Sequence, residues 1–162
     1  TAGYSANGVD DAEFMISTNP GEPVKPLGKV ASGGELSRIM LAIKTVLASR
    51  DKIPTMIFDE IDTGISGKTA WKVSEKLGVL SAGHQIICIT HLPQIAAMAD
   101  THFRIAKQAI NHATVTGIVQ LKDVEAIEEL ARLLGGEEIT DAVRENAKEL
   151  LQTAAVKKRE LR

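Results

Sequence analysis

Apolar residues occur along this chain in two patterns, as short unbroken runs and at positions three or four residues apart. The runs at 55–58 and 85–90 predict two strands that are buried on both faces of a parallel sheet. Helical spacing after Ser32 predicts a helix that buries one apolar face. The residues on that predicted face are Leu36, Ile39, Met40, Ile43, Val46 and Leu47.

The rest of the chain continues to alternate between predicted strands and helices. Further strands are predicted at 13–17, 103–109 and 114–121, the last two as a hairpin or as two edge strands. Further helices are predicted from the loop at 62–67 to about Leu80, from Pro93, and at about 123–134 and 140–160, where Gly135-Gly136 separates the last two. The final helix carries an apolar stripe of Val143, Ala147, Leu150, Leu151 and Ala154. This order predicts an α/β fold built in layers.

Composition and charge narrow the class of protein. The chain has 162 residues, of which 44% are hydrophobic and 25% are charged, as in an ordinary folded domain. Its net charge of −2 argues against a dominant nucleic-acid-binding surface on this segment. The single cysteine, Cys88, excludes an intrachain disulfide and fits a reducing cytoplasm. Because the sequence starts at Thr1 rather than Met, we expect a fragment of a longer protein.

The segment from Ser32 to Arg38, with the sequence SGGELSR, opens the first predicted helix. Gly33 and Gly34 leave backbone N–H groups accessible at a helix N-terminus, where phosphate is favoured and a ligand can approach closely. The same residues fit a capping box, in which Ser32 caps the helix and Glu35 reaches back to the Ser32 N–H. The two interpretations are compatible.

An acidic pair, Asp59-Glu60, ends the first buried strand. Ligands of α/β sheets lie beyond the carboxyl ends of the strands, so this is a favourable place for chemistry. One carboxylate there can hold Mg²⁺ directly or through water, and the other can deprotonate an attacking water. The alternative is a pair of loop carboxylates that cap the next helix.

His91 lies just past the second buried strand, at the sheet edge where Glu60 is expected. That position favours contact with a phosphate or with the attacking water, whereas the other histidines, His84, His102 and His112, are interpreted as solvated or structural. Gly67-Lys68-Thr69 imitates the end of a P-loop, but Asp62 stands where the pattern needs glycine. We interpret Ser66 as a helix cap and Lys68 as a surface residue, and the 162 residues contain no P-loop.

Four segments in this order resemble the C-terminal half of an ABC-type ATPase head. Ala31 to Glu35 resembles the signature motif, Met56 to Glu60 resembles Walker B, Ile61 to Ser66 stands in the place of the D-loop, and His91 matches the switch histidine. A finer resemblance, carried by 19–23, 30–38, 58–67 and 90–100, is to the RecN family of bacterial SMC-related DNA repair proteins. Ile61-Asp62-Thr63-Gly64 departs from the transporter pattern.

The resemblance implies a fold and a set of missing parts. Residues 1–162 would form the C-terminal lobe of an ABC/SMC-type P-loop NTPase head, with a largely parallel sheet flanked by helices. Walker A, in the N-terminal half of the same head, and a long coiled coil would lie upstream. The fragment alone is therefore expected to be inactive.

The resemblance also implies the roles of individual residues in a site that binds ATP and Mg²⁺. Asp59 would hold Mg²⁺ through water, Glu60 would be the catalytic base, and His91 would sense the γ-phosphate. The signature residues would grip the γ-phosphate of a partner head's ATP, and these are Ser32, Gly33, Gly34 and Glu35. Asp62 would communicate across the interface. The signature and Walker B of one chain would then serve different sites.

At the level of the whole protein, the resemblance implies an ATPase that works by ATP-dependent dimerisation of two like heads in DNA double-strand-break repair and recombination. DNA would be bound by the full-length protein, in the bacterial cytoplasm at the nucleoid, with no membrane involved. One alternative is another SMC- or RecF-type chromosome-associated ATPase. The other is a non-catalytic interaction module that keeps the fold without the activity.

Overall fold

A computed structural model describes residues 8–10, 12–17, 20–29, 32–48, 50, 52–110, 113–136 and 138–161. The elements, in chain order, are β1 (Met15–Ile16), β2 (Lys25–Pro26), α1 (Gly33–Leu47), β3 (Thr55–Phe58), α2 (Gly67–Leu80), β4 (Gln85–Cys88), α3 (Pro93–Ala96), β5 (His102–Ile110), β6 (Ala113–Leu121), α4 (Asp123–Gly135) and α5 (Asp141–Leu161). This mixture confirms the predicted α/β class. Four residues that carried sequence predictions, Asn19, Val30, Ala31 and His112, lie outside the described residues.

The parallel pairing predicted from the two apolar runs is present between β3 and β4. Thr55 pairs with Gln85 and Phe58 pairs with Cys88, so the two strands end at the same edge. The β1–β2 and β5–β6 pairs are antiparallel, and β5 and β6 form the predicted hairpin. The two functional segments that follow β3 and β4 are therefore brought to one edge of the parallel pair.

Burial of the parallel pair on both faces is not observed in the described residues. Met56 and Phe58 are buried in a core that also contains Leu77 and Leu80 of α2. Ile57, which faces the other way, is 67% exposed. Successive side chains of a strand point to opposite faces, and helices of this chain cover only one of them. Within the described residues the second face is uncovered, because apolarity alone does not say which layer covers a face.

The helix predicted from this spacing is confirmed as α1, but most of its apolar face is exposed in this chain. The buried residues of this helix are Gly34 and Leu41, and Ala48 at its end packs against the same core. These three positions are seven residues apart, so they lie on one face of a helix. The predicted stripe instead leaves Val46 82% exposed. The other exposed members of that stripe are Leu36, Met40 and Leu47.

A second core joins α3, α4 and α5 and confirms the predicted stripe of the last helix. Ala147 and Ala154 are buried, and they pack with Leu130 of α4 and Ala97 beside α3. The partly buried residues around them include Val143, Leu150 and Leu151. Gly136 ends α4 with a positive φ of 71°, a conformation that glycine adopts without strain. The predicted break between the two helices is therefore confirmed.

Candidate functional site

The acidic pair forms a turn directly after β3. The Glu60 N–H donates to Asp59 Oδ1 at 2.8 Å, and the Thr63 N–H donates to the Glu60 carbonyl at 3.1 Å. Glu60 has φ of 55°, and among the residues that the structure describes it is the one non-glycine residue with a positive φ. Such a backbone costs on the order of 1–3 kcal/mol and tends to be found at functional sites. Both acidic residues are exposed, so their free oxygens are accessible.

The N-terminus of α1 shows one half of the predicted capping box. Ser32 is the N-cap residue with φ of −124° and ψ of 141°, and its Oγ accepts a hydrogen bond from the Glu35 N–H at 3.2 Å. Ser32 and Gly33 are exposed. The end of the helix is therefore at the surface, the position at which a helix N-terminus can favour an anion.

The first two turns of α1 also hold the acidic turn in place. Ser37 Oγ donates to the Asp59 carbonyl at 2.9 Å. Arg38 Nη1 donates to the carbonyls of Ile61 at 3.2 Å and Thr63 at 2.8 Å. The signature-like helix and the loop after β3 are thus joined by three side-chain to backbone hydrogen bonds.

Gly33 and Gly34 allow this close packing. A Cβ built at Gly34 would lie 2.9 Å from the Glu60 carbonyl oxygen and 3.0 Å from Thr63 Cβ. A Cβ at Gly33 would collide with Glu60 Oε2. The sequence predicted that something approaches these glycines closely, and in this chain the approaching group is its own Glu60. The predicted division of the two motifs between different sites remains a prediction, and within one chain they are in contact.

A buried carboxylate links the acidic turn to His91. Asp62 Oδ2 accepts hydrogen bonds from Thr90 Oγ1 at 2.6 Å and from the His91 N–H at 2.8 Å. His91 Nδ1 lies 3.0 Å from the same oxygen. The Asp62 side chain is 4% exposed, whereas the His91 side chain is 72% exposed. Asp62 was predicted to act across an interface, and that role remains a prediction; within its own chain it contacts Thr90 and His91.

Hydrogen bonding sets the charge state of this cluster. Burial by itself would raise the pKa of Asp62, but the Thr90 hydroxyl, the His91 N–H and the charge of His91 together hold that pKa below its usual value. The carboxylate is therefore ionised at neutral pH and acts only as an acceptor. Burial, with the nearby charges of Asp62 and Asp59, raises the pKa of the Cys88 thiol to about 12. Cys88 is partly buried and packs against the first core.

Three residues of the site were missed by the sequence prediction, namely Ser37, Arg38 and Thr90. Ser37 and Arg38 lie within the signature-like segment, but their partners are backbone carbonyls more than twenty residues away. Thr90 was assigned to a strand, and it lies just beyond β4 with its hydroxyl on Asp62. Only the spatial approach of α1 and of the segment after β4 to the loop after β3 reveals these partners.

The residues that the sequence analysis interpreted as surface, capping or structural residues have such positions in the structure. Lys68 is exposed near the start of α2, and Ser66 occupies the N-cap position of that helix. His84 lies 2.7 Å from the Ile53 carbonyl, and His102 lies 2.9 Å from the Ala96 carbonyl, so both have structural partners.

The donor set agrees with a magnesium ion that is bound mainly by phosphate and water. Within the described ranges no group of three or more His, Cys, Asp or Glu side chains could hold a metal ion. Mg²⁺ often uses one or two carboxylates, substrate phosphates and several waters, and an exposed Asp59 fits that pattern. In the described part of the chain no helix is long and apolar enough to cross a membrane.

Comparisons with known proteins agree on one family, although no protein-family model matches the chain. DNA repair protein RecN of Halalkalibacterium halodurans is 54% identical over 151 residues, and that of Bacillus subtilis is 52% identical over 147 residues. These alignments cover 93% and 91% of this chain. DNA repair protein RecN of Treponema pallidum is 49% identical over 152 residues, or 94% of this chain.

The chain spans about a quarter of the length of these curated relatives, 27%, 26% and 26% respectively. A solved chain from work on ATP-driven dimerization and DNA-stimulated activation of SMC ATPases has a TM-score of 0.49 and 24% identity. The alignment covers 76% of this chain and 81% of the solved chain. Over more than nine-tenths of its length the chain is therefore highly similar to one segment of DNA repair protein RecN from these three bacteria.

Proposed function

We propose that this chain supplies the signature and Walker B parts of an ATPase head in a RecN-type DNA repair protein, which works by ATP-dependent pairing of two heads. The observation that carries the proposal is the common edge of β3 and β4. Glu60 and His91, one after each strand, are both exposed there, and Asp62 connects them. An acid and an imidazole at such an edge suit activation of a water at a phosphate.

The roles of the residues follow from their positions. Asp59 holds Mg²⁺ through water, and the ion would neutralise phosphate charge. Glu60 takes the proton of the attacking water, for which its exposed carboxylate is available. His91 contacts the γ-phosphate. The α1 N-terminus, from Ser32 to Glu35, contacts the γ-phosphate of ATP on the partner head, since its exposed N–H groups favour an anion.

The other half of the head completes the fold and supplies Walker A. The exposed apolar residues of the β3–β4 face and of the following segment are Ile57, Ile87 and Ile89. A parallel sheet is ordinarily covered on both faces, so this surface is suited to the N-terminal half of the same head. The chain covers only 27% and 26% of the length of these relatives, which leaves room for that half. By this reasoning the isolated 162 residues neither bind ATP tightly nor hydrolyse it.

The proposed setting is DNA double-strand-break repair and recombination in the bacterial cytoplasm, at the nucleoid. The net charge of −2 argues against a dominant DNA-binding surface on this segment, so we assign DNA contact to other parts of the full-length protein as part of the proposal. A second copy of the head is the partner in the ATP-bound dimer.

Glu60→Gln in the full-length protein tests the proposed chemistry. The amide keeps the size of the side chain but cannot act as a base, so we expect turnover to fall by about 10²–10⁴-fold. Head pairing should persist, because the ATP contacts remain. Phosphate release and sedimentation with ATP measure the two properties, and Glu138→Gln, at an exposed loop position, is the matched control. Normal turnover in Glu60→Gln would remove Glu60 from the role of base.

Ser32→Arg tests the action of α1 on the partner's nucleotide. Ser32 is exposed, so arginine fits the single chain, and the lost cap costs about 1 kcal/mol. In the full-length protein the long side chain would fill the phosphate position, so we expect ATP-dependent pairing to be lost. Ala142→Arg, on exposed α5 surface, should leave pairing intact. Persistent ATP-dependent pairs in Ser32→Arg would show that α1 does not receive the partner's phosphate.

A further inference from the structure

We propose that Asp62 is a positioning residue that acts within its own chain by fixing the imidazole of His91 in one orientation. The proposal rests on the proposed function, in which His91 contacts the γ-phosphate. This role differs from one across the head interface, because the Asp62 carboxylate is directed toward its own chain. The contacts of Asp62, the anchoring of its loop and the exposure of His91 carry it.

One oxygen atom organises the segment after β4. Oδ2 of Asp62 receives the Thr90 hydroxyl at 2.6 Å and the His91 N–H at 2.8 Å, and His91 Nδ1 is 3.0 Å away. The Leu92 N–H donates to Thr90 Oγ1 at 3.1 Å. Asp62 therefore holds both the backbone and the ring of His91, and Thr90 extends this hold to the entry of α3.

Asp62 itself is rigidly placed. Ile61, next to it, is fully buried in the first core, and Ile65 packs against that core from the same loop. Arg38 holds the carbonyls on either side of Asp62 from α1. Since the carboxylate is 4% exposed and the loop is anchored at both ends, it can orient a side chain that is itself 72% exposed.

The contact at Nδ1 decides which nitrogen of His91 faces outward. An ionised carboxylate only accepts, and its oxygen lies at ion-pair distance, 3.0 Å, from Nδ1, so this contact favours the proton on Nδ1. In the neutral ring Nε2 then has a free lone pair, which can accept a hydrogen bond from water. In the protonated ring Nε2 carries a second N–H, which can donate to a phosphate oxygen. Without Asp62 an exposed imidazole would populate several rotamers and both tautomers.

A double-mutant cycle in the full-length protein tests whether Asp62 acts through His91. Asn at position 62 keeps the size of the side chain but loses its charge. We expect Asp62→Asn to lower kcat about 10–100-fold, as orienting partners of functional groups do, with KM for ATP changed less than about 2-fold. In the His91→Ala background the same substitution should change kcat less than about 2-fold. Asp123→Asn, at an exposed position of α4, is the matched control.

Equal losses from Asp62→Asn in both backgrounds would overturn the proposal, since Asp62 would then act independently of His91. Normal turnover of Asp62→Asn would also overturn it. If instead His91→Ala has normal turnover, the proposed function loses its histidine, and a measurement of orientation decides the role of Asp62 separately.

That measurement is ¹⁵N NMR of histidine-labelled wild-type protein at pH 8.5, about two units above the usual imidazole pKa. His91→Gln identifies the resonance by its loss. We expect His91 as the Nδ1–H tautomer, and the Nε2–H tautomer or an even mixture would overturn the proposal. Because this readout uses the unaltered protein, it holds even where Asp62→Asn fails to fold.

Discussion

Alanine at Gly34 and at Gly33 separates two consequences of the contact between α1 and the acidic turn. At Gly34 the new methyl group would meet the Glu60 carbonyl oxygen at 2.9 Å and Thr63 Cβ at 3.0 Å. Backbone atoms of an anchored turn cannot move aside cheaply. At Gly33 the new methyl group meets the end of the Glu60 side chain, which can rotate away.

The two substitutions therefore differ in magnitude and in kind. Overpacking at Gly34 costs about 1–3 kcal/mol, and replacing glycine in a helix returns at most about 1 kcal/mol. The net loss for Gly34→Ala is therefore about 0–3 kcal/mol. Gly33→Ala should leave stability unchanged or slightly improved. It should still lower turnover of the full-length protein at least about 10-fold, because displacement of a catalytic group by about 1 Å can cost as much as 10²-fold.

Equilibrium urea unfolding of the 162-residue chain, followed by circular dichroism, measures the stability difference. With an m value of about 2 kcal/mol/M, a loss of 1 kcal/mol lowers the midpoint by about 0.5 M. Gly83→Ala, where a new Cβ would meet nothing within 4 Å, is the control for a glycine without neighbours. A Gly33→Ala variant that is less stable than Gly34→Ala, or that keeps full turnover, would contradict these expectations.

Two further predictions concern stability. The lowered pKa of Asp62 means that its contribution to folding is present above about pH 4 and is lost as pH falls through the folded pKa. The stability gap between wild type and Asp62→Asn, from urea unfolding, should therefore shrink below about pH 4, and a constant gap would contradict this. Leu130→Ala should cost about 2–5 kcal/mol in the same assay, because Leu130 is fully buried in the second core. Val124→Ala, exposed on the same helix, should cost far less, and similar losses would argue against that core.

Local sequence patterns were sufficient to predict most of the helices and strands. The apolar runs at β3 and β4, the helical spacing of α5 and the turn chemistry of Gly136 each act over a few residues, so the sequence alone predicted them. The order of strands and helices predicted the parallel pair. Asp59, Glu60 and His91 were singled out because polar residues directly follow apolar strands.

Burial could not be predicted as well, because it depends on which layers are present. The apolar residues of α1 predicted a buried face, yet in this chain Leu41 is buried and Val46 is exposed. Ile57 is likewise apolar and exposed. A hydrophobic side chain is more stable when it is buried, but whether it is buried depends on which other segments pack against it.

The sequence by itself determined that Ser32 to Glu35 begin a helix and that acidic residues and a histidine follow two parallel strands. Only the tertiary structure decided that Gly33 and Gly34 pack against Glu60, and that Asp62 is directed toward His91. The reason is physical. Helix and strand formation depends on neighbours along the chain, but the partner of a carboxylate 28 or 29 residues away depends on where two strand ends meet.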